Sequence, residues 1–142
     1  MRNTKRENNI FISNSEAETV KLGIQFAERL KHGDTVAFLG DLGVGKTAFT
    51  RGICEYFGER NTCSPTFTIV NEYESIYHID AYRITEDDWI NSGFDEYLFD
   101  GKICIIEWAE NLMNILPENT IFVKISKDAR EDDCYRLIEI SD

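Results

Sequence analysis

Residues 40–47 read Gly40-Asp41-Leu42-Gly43-Val44-Gly45-Lys46-Thr47 and fit G-x-x-x-x-G-K-[ST] with no mismatch. Thr35-Val36-Ala37-Phe38-Leu39 precedes them, an apolar run of strand length. Behind them, Phe49, Ile53 and Phe57 recur at helical spacing. A strand, a glycine-rich turn and a helix start form the context in which this motif has a physical meaning. The glycines let successive backbone N–H groups turn toward an anion, aided by the helix dipole. Lys46 supplies a mobile positive charge for β- and γ-phosphates, and Thr47 a hydroxyl for the Mg²⁺ that travels with them. The stretch therefore predicts a chain that binds a nucleoside triphosphate.

The flanks extend this reading in both directions. Ser15-x-x-Glu18 fits a capping box that opens a helix running through Thr19 to Leu30. Its apolar positions Val20, Ile24, Ala27 and Leu30 mark a face packed on a sheet. Asn9 to Ser13 is expected to form a short edge strand. After the P-loop helix, closed by Gly58, Ser64-Pro65-Thr66 lies in a polar loop where many P-loop proteins sense the γ-phosphate. Phe67 to Tyr73 and Ser75 to Asp80 read as an antiparallel hairpin, and alternation puts His78 and Asp80 on one face. Thr85 to Asp88 begins a short helix with acids suited to its N-terminus, and Gly93-Phe94-Asp95 starts another. Ile103-Cys104-Ile105-Ile106 is a strand buried on both faces, ending in Glu107-Trp108. Ala109 to Leu116 is predicted helical, and Ile121 to Ser126 and Tyr135 to Ile140 close the sheet. This order predicts a single α/β domain over 10–142, behind a flexible tail over 1–9. The expected architecture is a P-loop NTPase-like three-layer sandwich with a mixed, mostly parallel central sheet.

The 142 residues allow one core of ordinary size. No apolar run approaches the roughly 20 residues that span a bilayer. The polar N-terminus suggests no secretory signal, so a cytoplasmic location is expected. Cys54, Cys63, Cys104 and Cys134 lack metal-ligand spacing and read as reduced, structural cysteines. The net charge of −11 is uneven: residues 1–51 carry eight Lys/Arg and six Asp/Glu, residues 52–142 seven and twenty. So acidic a chain is a poor candidate to grip a nucleic-acid backbone alone. If it acts on RNA, a partner holds the RNA.

A P-loop site needs a second acidic group at the end of a neighbouring strand. Glu107 is the best candidate, the alternative being an ordinary solvated strand end. Asp80 also ends a strand; it could serve a metal-bound or attacking water, or simply cap a turn. His78 alone reads more readily as a hydrogen-bonded core residue. Trp108 could lie against a nucleotide, although core filling is favoured by its size. No N-K-x-D stretch is present to read guanine, which favours ATP. Arginines are not clustered as a phosphate-closing lid would require, although Arg83, Arg130 and Arg136 are individually available.

Four blocks occur in order and at matching spacing: Gly40-Asp-Leu-Gly-Val-Gly-Lys-Thr47, Ser64-Pro-Thr-Phe-Thr68, Tyr77-His-Ile-Asp-Ala-Tyr-Arg83 and Ile106-Glu-Trp108. Together they resemble the TsaE (YjeE) family, over roughly residues 10 to 140. The resemblance implies a small ATPase of bacterial tRNA threonylcarbamoyladenosine biosynthesis, using ATP and Mg²⁺. It implies slow hydrolysis that supports turnover of the complex modifying adenosine 37 of tRNAs reading ANN codons. The partners implied are the threonylcarbamoyl transferase subunit and its companion, of the TsaD and TsaB types, with tRNA met only through them. Carried over residue by residue, Lys46, Asp80 and Glu107 are catalytic, and Thr47, Glu107 and Asp80 serve the metal. Asp41, Leu42, Gly43, Val44, Gly45, Lys46, Thr47 and Ala48 surround ATP, with Glu16 and Glu110 as further neighbours. Val44 stands where Ala is commoner and Ala81 where Leu is usual, both changes of packing. Ala48 replaces a commoner Thr, so one hydroxyl contact near the α-phosphate is not expected. Two other readings compete: a small-molecule kinase, which would want clustered arginines, and a nucleotide-gated binding subunit that does not hydrolyse.

Overall fold

The computed structural model describes residues 8–39, 45–59 and 69–141. Asp41, Leu42, Gly43 and Val44 of the motif, Cys63, and the Ser64-Pro65-Thr66 loop lie outside the described residues. In chain order the elements are β1 (Asn8–Ser13), α1 (Glu16–Ala27), β2 (Thr35–Leu39), α2 (Lys46–Tyr56), β3 (Val70–Glu72), β4 (Ile76–Asp80), α3 (Glu86–Asn91), α4 (Asp95–Leu98), β5 (Ile103–Glu107), a 3₁₀ turn (Ala109–Leu112), β6 (Ile121–Ser126) and β7 (Arg136–Ser141).

The seven strands form one sheet in the order β1-β7-β6-β2-β5-β4-β3. Its centre is parallel: β2 pairs with both β5 and β6, and β5 with β4. Antiparallel ladders finish both sides, β3 on β4 at one and β6-β7-β1 at the other. The central strands are apolar because helices cover both their faces. All five residues of β5 are buried. On one face α1 and α2 pack through Phe26, Phe49 and Ile53 against Val36, Phe38, Ile105, Val123 and Ile138. On the other, Trp89 of α3, Leu98 of α4 and Leu112 cover Ala37, Ile79 and Ile106. The sandwich has three layers over its central strands. Its β6-β7-β1 side is covered on one face only, so β6 alternates strictly between buried and accessible positions. There Lys124 lies opposite Glu139 on the open face.

The ends of elements differ from the sequence expectations for local reasons. Ser15 caps α1 as expected, its hydroxyl accepting the Glu18 N–H at 3.0 Å. The Glu18 carboxylate, however, takes the N–H of Asn14 at 2.7 Å, not that of Ser15, so the box is shifted by one residue. The helix stops at Ala27, and Leu30 is buried from the following turn. The reciprocal capping box forms instead at Thr85 and Asp88. The helix expected over Ala109 to Leu116 shrinks to a 3₁₀ turn ending at Leu112. Its continuation is diverted, since the Asn114 N–H bonds the Glu86 carboxylate at 2.7 Å. Of the Phe67 to Tyr73 strand, β3 spans Val70–Glu72. Cys54 and Cys104 are buried as expected, whereas Cys134 is exposed; among the described residues all three are free thiols.

Helices α1 and α2 meet at glycine. A Cβ on Gly52 would lie 2.1 Å from the Val20 carbonyl oxygen, and one on Gly23 2.2 Å from that of Phe49. Both obstacles are backbone, which cannot rotate aside. In an exposed helix, Gly→Ala stabilises by roughly 1 kcal/mol; here the sign reverses. Gly52→Ala is expected to destabilise by about 2–3 kcal/mol and to lower the melting temperature by roughly 6–10 °C. A melting temperature at or above the parent's in a calorimetric scan would show that the helices separate freely.

Candidate active site at the strand ends

The parallel pairing of β4, β5 and β2 sends all three chains out at the same edge of the sheet. There Asp80 is the register partner of Glu107. Ile76, Ile103 and Ile105 belong to the core under α1 and α2. By alternation, His78, Asp80 and Glu107 share that face with them. Helix α2 begins on the same side at Lys46, preceded by Gly45 with φ of 97°. That value suits glycine and explains why the turn needs one there.

Lys46 is 1 % exposed, and its Nζ lies 4.7 Å from the centre of the Trp108 ring. A desolvated cation–π contact of this kind is worth about 2 kcal/mol. Trp108 follows Glu107 directly and adopts φ of 60°, the sole positive φ among the described non-glycine residues. That left-handed turn ends β5 and carries the indole out over the strand ends. Its ring meets Tyr82 at 4.8 Å. Core filling describes Trp108 only in part: it is half-buried against the apolar cluster while its other contacts form the floor beneath Lys46.

Glu107 is 6 % exposed, and its Oε2 is 2.9 Å from His78 Nε2. The carboxylate is thus neither solvated nor apolar-packed but held by a histidine on the next strand. Asp80 is half-buried and accepts the Tyr82 N–H on Oδ1 at 3.0 Å. This is the turn-capping role, made by one oxygen of a side chain that still stands beside Glu107. The turn is tied down from the 3₁₀ segment, since Asn111 Nδ2 donates to the Ala81 carbonyl at 2.8 Å.

A cleft of 330 Å³ opens at the starts of α1 and α2, with Lys46, Glu107 and Asp80 outside its lining. Gly45, Thr47, Ala48 and Arg51 line it at α2, Glu16 and Thr19 at α1, and Arg136 is among its further walls. Glu16 thus shares the cleft with Gly45 and Thr47; it also pairs with Arg51 at 3.2 Å, both side chains exposed. Glu110 sits exposed on the 3₁₀ turn and is not among the cleft's lining residues. Arg136, in the sequence only one of three individually available arginines, lines the cleft. Its Nη1 donates to the carbonyls of Asp133 and Tyr135, both at 2.7 Å, which holds the guanidinium beside Gly45. No local pattern announces this, because β7 reaches the motif only through its pairing with β6. Among the described residues no three His, Cys, Asp or Glu side chains form a grouping that could cage a metal.

Cys134 also lines the cleft. Burial, with the nearby Asp100 carboxylate, pushes the Cys104 thiol up to about 12, and Cys54 is buried. Since the thiolate is the reacting species, iodoacetamide applied to folded Cys63→Ser protein should label Cys134 and spare Cys54 and Cys104. Peptide mass spectrometry checks this, and labelling of Cys104 at a comparable rate would contradict its buried setting.

Comparison with known proteins agrees with the order of these elements. The family described as "Threonylcarbamoyl adenosine biosynthesis protein TsaE" matches residues 13–138. A Bacillus subtilis protein named tRNA threonylcarbamoyladenosine biosynthesis protein TsaE is 42 % identical over 119 residues, covering 78 % of this chain and 73 % of its own. A Rickettsia bellii protein of the same name is 39 % identical over 137 residues, covering 92 % of each. The crystal structure of Bacillus subtilis YdiB superposes with a TM-score of 0.77 at 30 % identity, over 98 % of this chain and 88 % of that one. With a P-loop α/β sheet, a family match over most of its length and relatives at this identity, the chain belongs to the TsaE family.

Proposed function

We propose that this protein is an ATPase that binds ATP with Mg²⁺ and hydrolyses it slowly, supporting turnover of the complex that forms N6-threonylcarbamoyladenosine at position 37 of tRNAs reading ANN codons. The observation that carries the reading is that Lys46, between the cleft-lining residues Gly45 and Thr47, rests on Trp108, the residue after Glu107, whose register partner is Asp80. The relatives named for tRNA threonylcarbamoyladenosine biosynthesis supply the biological setting. The proposed partners are the threonylcarbamoyl transferase subunit and its companion, of the TsaD and TsaB types, in the cytoplasm. Among the described residues no helix is long and apolar enough to cross a membrane. A net charge of −11 agrees with leaving the tRNA to those partners.

The donor set fits Mg²⁺. One hydroxyl, Thr47, and carboxylates on two adjacent strands are hard oxygen donors, and a nucleotide-borne Mg²⁺ takes most of its remaining ligands from phosphate and water. The absence of a three-ligand grouping among the described residues is compatible with that division. When bound, the ion neutralises charge on the β- and γ-phosphates. The chain's own residues do the rest. Lys46, already desolvated, exchanges the indole face for phosphate oxygens. Arg136 and Arg51 add positive charge along the cleft. The second oxygen of Asp80, the one not used by Tyr82, orients a water for attack on the terminal phosphate. Asn111, by bonding the Ala81 and Tyr82 carbonyls, keeps the Asp80 turn at the strand end.

Lys46→Ala should abolish productive ATP use. Asp80→Asn is more discriminating, because an interaction made mainly in the transition state lowers rate and leaves affinity nearly intact. It should slow phosphate release by about 100-fold while ATP binding, measured by calorimetry, stays within roughly threefold of the parent. In the reconstituted tRNA reaction it should allow assembly but not repeated cycles. Full multiple-turnover modification by Asp80→Asn would favour a nucleotide-gated subunit that does not depend on hydrolysis.

A further inference from the structure

His78 is 2 % exposed and lies inside β4, with neighbours on both sides of the sheet. It is the register partner of Ile105, one pleat before Glu107, so its ring reaches along the strand direction to meet the Glu107 carboxylate. A carboxylate only accepts, so the shared proton sits on Nε2. The other ring nitrogen, Nδ1, is buried with no hydrogen-bond partner among the described residues. A histidine retained merely to fill core would leave one nitrogen idle at a cost of about 1–3 kcal/mol, which an apolar side chain of similar size would avoid. The cost is explained if the Nε2 bond does something a Phe or Leu cannot.

We propose that His78 is a positioning residue that fixes the Glu107 carboxylate in one orientation, Oε2 held within the sheet and Oε1 turned toward the start of α2, where a nucleotide-borne divalent cation would sit. The inference rests on the ATP–Mg²⁺ reading of the site. A glutamate has three side-chain torsions, and at a strand end it would otherwise sample several rotamers. The buried imidazole, carried by a strand paired on both sides by β3 and β5, removes that freedom before any ligand arrives. Because the histidine comes from β4 and the glutamate from β5, the parallel register itself sets the orientation. His78 touches neither nucleotide nor metal in this arrangement and acts only through Glu107.

The test uses ADP as probe, titrated with MgCl₂ or with EDTA, and compares variants that keep or remove the donor. A Gln amide nitrogen can stand in for Nε2; an Asn amide is too short and mimics Nδ1. His78→Phe and His78→Asn should lose about tenfold of the Mg²⁺-dependent gain in ADP affinity, a typical effect for a group that orients a metal ligand. His78→Gln should retain it within about threefold, and all three should bind ADP in EDTA like the parent. In the free protein, ¹⁵N NMR of the imidazole should report the Nε2–H tautomer, and its signals should move in Glu107→Gln. A full Mg²⁺ gain in His78→Asn, or equal losses with and without Mg²⁺, would overturn the positioning role. Unmoved imidazole signals in Glu107→Gln would do the same. Absence of any Mg²⁺ gain in the parent is a different failure, that of the ATP–Mg²⁺ reading itself. If His78→Phe does not fold, the Gln–Asn pair still decides the matter.

Discussion

The parallel register of β4, β5 and β2 is the constraint on which the site depends. Parallel neighbours all end at the same edge, so three chain segments distant in sequence deliver their last side chains to one place. Pairing Asp80 with Glu107 makes two carboxylates neighbours, an arrangement that alone would be repulsive. The donors His78 Nε2, on Glu107, and Tyr82 N–H, on Asp80, offset that repulsion. A one-residue slip of β4 would turn Asp80 and His78 to the opposite face. It would also turn Ile76 away from the α1–α2 core. Core burial thus specifies the register, and the register specifies the site.

The second constraint is the glycine contact between α1 and α2. Gly23 and Gly52 allow the two helix backbones to approach within a distance that any side chain would block. Because Glu16 lies at the start of α1 while Thr47 and Ala48 lie at the start of α2, this crossing sets how far apart the cleft walls stand. Fold stability and cleft width are in this way functions of the same two residues. A substitution there would reach the cleft through the helix axes, not through any direct contact.

Local pattern made much of this legible. The glycine-rich motif between an apolar strand and a helical repeat identified β2 and α2, and the unbroken apolar run ending at Glu107 identified β5. Alternation put His78 and Asp80 on one face, and the sheet confirms their shared side through Ile76 and Ile105. What stayed hidden depends on distant parts of the chain. Arg136 and Cys134 reach the cleft through the β6–β7 ladder. The His78–Glu107 bond needs the β4–β5 register, which neither strand encodes alone. Trp108 was read as core because size is visible in a sequence and a left-handed backbone is not. The Ala109 to Leu116 helix was overcalled because its periodicity carries no trace of Glu86, the residue that captures the Asn114 N–H.

Charge gives the last step. A nucleoside triphosphate is itself strongly anionic, and this chain carries −11. At physiological ionic strength the Debye length is about 8 Å, so most of the acidic surface is screened from a ligand already inside the cleft. Lys46, Arg51 and Arg136 act over shorter distances, and Lys46 does so from a desolvated position where its field is least weakened. A nucleotide bound as proposed would therefore be held by close contact with cleft residues, not steered from afar. The same reasoning separates a small anion from a polymeric one. Under the proposed function a nucleotide meets the cleft's arginines at short range. An RNA backbone lying along the outer surface would approach its carboxylates to within a Debye length, which is a physical reason, under the same proposal, for the RNA to be held by another protein.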